Sequence, residues 1–114
     1  MEQQSKLTNL IEIVRQIRFR PVMYIGDKKI SSMYMFLNGY RFAIMIHKLE
    51  ADQPVTMAFQ DFNDFIALKL GKNSITHGWR AMMIEHCDGN EEKALEFFFE
   101  TFEEFIEHIH KKFK

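Results

Sequence analysis

From Glu91 to Phe113 the sequence reads EEKALEFFFETFEEFIEHIHKKF. At about 100° per residue on a helical wheel, Leu95, Phe98, Phe99, Phe102, Phe105, Ile106, Ile109 and Phe113 fall on one arc. Glu92, Glu96, Glu100, Glu103 and Glu107 fall on a second stripe. A helix of some 23 residues spans roughly 34 Å. An apolar arc of that length must be covered by other elements, so the rest of the chain is constrained to build a core against it.

The remaining segments read as four further helices. Leu7, Leu10, Ile11, Val14 and Ile17 keep helical spacing, and Pro21 ends that helix near Phe19 or Arg20 by forcing Arg20 out of the α region. Gly26 and Asp27 turn the chain, and Ser31 or Ser32 caps a second helix running to about Glu50. Met33, Met35, Phe36, Leu37, Tyr40, Phe42, Ile44, Met45 and Ile46 make that helix apolar nearly all round, which predicts the most buried element. After a loop at 51–54, Phe59, Phe62, Ile66 and Leu70 mark a third helix, which Gly71 terminates. Trp79, Met82, Met83 and Cys87 share a face of a short fourth one, and Asn90 caps the last. Only residues 54–59 suit a short strand. The expectation is an all-α bundle of about five helices, one domain over residues 1–114. A hydrophobic content of 46% is ample for one core, and 114 residues leave no room for two.

Charge is distributed unevenly. Residues 1–48 sum to +5 and residues 49–114 to −6. From Glu85 to Glu104 there are eight acids and one base, Lys93. Such a cluster repels phosphate, so nucleic acid is not an expected partner. No apolar run is long enough to span a membrane, and the first residues lack the pattern of a signal peptide. With Cys87 the single cysteine, no internal disulfide forms, which points to the cytoplasm.

The stretch IEIVRQIRFRPVMYIGDKK resembles the N-terminal segment of type II topoisomerase ATPase subunits. In that family the helix that follows carries a glutamate base and an asparagine that holds magnesium. Here no acid occurs between Asp27 and Glu50, and no glycine-rich phosphate loop exists, so nucleotide hydrolysis is not expected. RPVMYIG, FLNGY at 36–40, GW at 78–79 and ALEFFFETFEEF at 94–105 together resemble a group of small all-helical bacterial proteins. Those proteins are associated with immunity to polymorphic and contact-dependent growth-inhibition toxins. Val22 stands where the usual loop has glycine. The resemblance implies a non-enzymatic protein that binds a cognate toxin domain. Met23, Tyr24 and Ile25 are expected to insert between helices as a packed hinge.

No metal, cofactor or catalytic set is legible. His108 and His110 point about 200° apart on a helix, and His86 beside Cys87 faces another way. Cys87, on an apolar face, reads as a small hydrophobe. The candidate partner-binding residues are Glu85, Asp88, Glu92, Glu96, Phe97, Glu100, Glu103, Glu104 and Glu107. Like charges four residues apart repel by about 0.2–0.5 kcal/mol per pair, and only Glu107 has a lysine four residues onward. Phe97 lies off the apolar arc and reads as an aromatic anchor in an acidic rim. A basic, nuclease-type toxin domain is the partner such a face fits. Two alternatives stand beside this: a small hydrolase or nucleotide-binding enzyme built on Arg20, Tyr24, His77 and Cys87, and a scaffold that pairs with itself through Phe97 and the methionines.

Overall fold

A computed structural model describes residues 10–47, 61–72 and 78–112. The described residues form six helices and no strand: α1 (Leu10–Phe19), α2 (Pro21–Ile25), α3 (Ile30–His47), α4 (Phe62–Leu70), α5 (Trp79–His86) and α6 (Glu91–Lys112). The all-α expectation holds, with five helices of eight residues or more and one short extra turn. Leu7, Phe59, His77, Phe113 and the possible strand at 54–59 lie outside the described residues.

Helix α6 is the centre. Ala94, Leu95, Phe98, Phe99, Thr101, Phe102, Phe105, Ile106 and Ile109 are all buried, and the helix packs against α1, α3, α4 and α5. Thr101 is the one buried polar side chain among the described residues; its hydroxyl donates to the Phe97 carbonyl at 2.9 Å, so no polar group is stranded. Phe62 of α4 sits at the hub. Its ring meets Phe105 at 5.1 Å, Trp79 at 5.5 Å and Phe98 at 5.7 Å, each near the edge-to-face geometry that aromatic quadrupoles favour. Asn63 beside it accepts the Trp79 amide at 2.7 Å, which ties the start of α5 to α4.

Helix ends follow the local chemistry. Pro21 occupies the first position of α2, where its missing N–H costs nothing. Gly26 closes that single turn at φ 88°, its amide bonded to the Val22 carbonyl. Asn90 caps α6 as expected, its Oδ1 accepting the Lys93 amide at 2.9 Å. At the end of α5, Asp88 takes φ 56°, a left-handed position more often held by glycine, and the Gly89 amide reaches back to the Ile84 carbonyl.

Three expectations are corrected. Helix α3 is not the most buried element: it commits only Ile30, Met33 and Leu37 to the core. A helix apolar on every side gives neighbours no preferred face, whereas α6 offers a sharply bounded one. The RPVMYIG segment is not an inserted hinge. It forms α2, with Met23 71% and Tyr24 40% exposed, and only Ile25 packs on the core. Ser31 and Ser32 do not cap α3 either. Lys29 precedes the helix, the Ser31 amide donates to Glu91 Oε1 at 3.0 Å, and the Ser32 hydroxyl donates to Asp27 at 3.0 Å.

Replacing Phe62 with Ala should lower the unfolding free energy by ~3–5 kcal/mol, while Tyr24→Ala should stay within ~0.5 kcal/mol of the parent. Urea titrations of the two variants measure both. Equal losses would mean that α2 is packed more tightly than its exposure indicates.

Candidate partner-binding surface

The acids of α6 do not form one uniform stripe. Arg15 of α1 grips Glu103 with two hydrogen bonds, Nε to Oε2 and Nη2 to Oε1, both 2.9 Å. Lys69 of α4 reaches Glu104 at 2.8 Å, and Lys72 reaches Glu85 at 2.9 Å. Glu91 is occupied at the start of α3, where Arg80 also donates to the Ser31 hydroxyl at 3.2 Å. Relief thus extends beyond the lysine four residues after Glu107. Bases from elsewhere in the fold pair with Glu85, Glu103 and Glu104, a relation invisible to a wheel that shows one helix at a time.

These pairs are partly solvated, so each is worth at most about 1 kcal/mol. Their geometric effect is larger: they hold Glu85, Glu103 and Glu104 back from the set of acids open to a partner. Glu92, Glu96, Glu100 and Glu107 are exposed and make no ion pair with the described residues. Asp88 is exposed as well, though its place in the α5–α6 turn gives it a structural task.

Phe97 has a neighbour on α5. Its ring stacks on His86 at 4.7 Å, half-buried against the core, on the flank of α6 away from Glu92 and Glu96. That stack is an internal contact the helical wheel does not show.

Apolar surface next to the open acids comes instead from α1 and α2. Arg18, Phe19, Pro21 and Lys28 form one wall of a groove of about 520 Å³, and Glu92, Glu96 and Glu100 form the other, with Leu95 and Phe99 between them. Arg18 lies 5.8 Å from the centre of the Phe99 ring. At the rim Phe19 is 73% exposed, and Arg20 stands 5.3 Å from its ring. Val22 and Met23 extend the apolar rim along α2. The site thus pairs an apolar floor and rim with walls of opposite charge. Phe19, Val22 and Met23 were missed as surface residues. The available signal was length: Pro21 and Gly26 leave room for one turn, and one turn cannot bury every apolar side chain it carries.

Elsewhere the chemistry is sparse. Cys87 is half-buried at the end of α5, where burial pushes its thiol above the ordinary range. His108 packs on Phe65 at 5.4 Å, and His110 borders a smaller pocket beside Glu107. Among the described residues no three of His, Cys, Asp and Glu are grouped to hold a metal ion. None of the described helices is long and apolar enough to cross a membrane. Comparison with protein-family models, with curated proteins and with solved structures returns no match.

Hydrogen bonding from Arg15 holds Glu103 below the ordinary carboxylate range, and Ser31 does the same for Glu91. Both pKa values are depressed in the folded state, so the stability they contribute is present above the unfolded value of about 4.3. It is lost as pH falls through the lower native values. Denaturant titrations should therefore show stability declining below about pH 5, and Glu91→Gln/Glu103→Gln should flatten that decline. An acid limb unchanged by the double substitution would place the titrating carboxylates elsewhere.

Proposed function

We propose that this chain is a non-enzymatic binding protein of the cytoplasm that neutralises a basic, nuclease-type toxin domain, as an immunity protein does. The observation that carries this reading is the row Glu92, Glu96 and Glu100, exposed and without ion pairs among the described residues, set beside exposed Phe19 and Met23. Open carboxylates spaced along one helix attract and orient a basic partner, and exclude its phosphate substrate from the same cleft. The aromatic and methionine side chains supply the desolvated contact that charge alone does not. Arg18 and Lys28 opposite the acids set which orientation of the partner is accepted. Inhibition of this kind requires a complementary surface and no reacting group.

The test is co-expression with the protein encoded immediately upstream, purification of the complex, and measurement of its binding rates. Glu96→Lys/Glu100→Lys should slow association and weaken its salt dependence while leaving the melting temperature nearly intact, since it relieves repulsion. Phe19→Ala/Met23→Ala should speed dissociation by roughly 30-fold, corresponding to ~2 kcal/mol. An unchanged association rate in the charge-reversed variant would remove α6 from the interface. Calorimetry with magnesium and ATP should give no saturable signal. Micromolar binding there would favour the enzyme reading instead.

A further inference from the structure

On the outer side of α3, Met35, Asn38, Phe42, Met45 and Ile46 recur at steps of three, four, three and one. They fall in a single sector about 100° wide on the helix. The first four keep the a–d–a–d spacing of a helix–helix seam. Met35 is 67% exposed, Phe42 60%, Met45 66% and Ile46 54%. Gly39 borders the seam, and a methyl group built there would meet nothing within 4 Å, so the backbone is open to close approach. The inner side of the same helix, Ile30, Met33 and Leu37, is already committed to the core.

We infer that a second copy of this chain covers this face, α3 against α3 about a two-fold axis. Charge selects a copy over a different partner. The sector holds no acid and no base, Arg41 and His47 lying outside it. In an isologous contact the same patch meets itself, so a patch of one sign repels its mate and an uncharged patch does not. The acid row of α6 fails that condition and the α3 face meets it. A different partner would be steered and selected by complementary charge, and this face presents none.

Area points the same way. Taking about 200 Å² for a fully exposed large apolar residue, the four fractions amount to ~500 Å² of apolar surface. Two such faces bring ~1,000 Å² together, where specific interfaces begin, before Asn38, Gly39 and Ala43 are counted. Asn38 carries both a donor and an acceptor, and a polar residue within an apolar seam fixes register. This inference is independent of the toxin-binding reading, which uses α2 and α6.

Sedimentation equilibrium of the full chain, from micromolar to hundred-micromolar concentration, tests it. The expected result is a reversible dimer, weakened at least ~100-fold by Phe42→Asp and untouched by Leu68→Asp, a change on exposed α4 surface. Because Phe42 is exposed, its replacement should leave the thermal melt in place at concentrations where the parent is monomeric. Should that variant unfold, Met45→Lys on the same sector gives the equivalent reading. A chain that stays monomeric at the highest concentration overturns the proposal, and so does a dimer indifferent to either α3 substitution. In a Cys87→Ser background, a monomeric Phe42→Cys chain whose new thiol resists maleimide would also overturn it, since part of the same chain would then cover the face.

Discussion

Edge-to-face packing of Phe62 against Phe98, Phe105 and Trp79 joins three helices at one point, and the other helices take their places around the result. The hub works because α6 delivers Phe98 and Phe105 from the same side, two turns apart, to a single ring on α4. Trp79 completes it from α5, and Tyr34 of α3 reaches the Trp79 ring at 5.4 Å. Helix α1 closes the other flank of α6 through Leu10, Val14 and Ile17. Ring packing of this kind tolerates little displacement, so small helices such as α4 and α5 gain a defined position that their length alone would not confer.

Electrostatics then refines an arrangement that apolar burial has set. An ion pair among the described residues joins the basic and acidic halves of the chain: α1 lies against α6, and Arg15 meets Glu103. Lys69 and Lys72 balance Glu104 and Glu85 in the same manner from the α4 end. What is left over, at Glu92, Glu96, Glu100 and Glu107, is a smaller and more localised field than the chain's composition implies. Localisation favours selectivity, since a compact row orients a partner better than a charge spread over half the surface.

The all-helical class, the end of α1 at Pro21, the glycine stop at Gly71 and the Asn90 cap were legible because each depends on neighbours within a few residues. The buried arc of α6 was legible for the same reason, as its hydrophobic period is self-contained. The surroundings of Phe97, Glu103 and Tyr24 were not legible, because they depend on residues far along the chain. His86 stacks on the first, Arg15 holds the second, and the third stays 40% exposed. For α3, uniform hydrophobicity concealed which side faces inward, and only the positions of α5 and α6 resolve it. The candidate surface was thus half legible: its acids could be named, but not the subset left open nor the apolar residues beside them.

The central position of α6 has a consequence for biosynthesis. A ribosome makes this helix after the other five, so the surfaces of α1, α3, α4 and α5 that it covers emerge before their cover exists. At about 5–20 residues per second the delay lasts several seconds, far longer than helices or small chains need to collapse. During that interval α3 is apolar on both sides. The apolar faces that pack on α6 therefore stay without it until the last of the described helices has emerged.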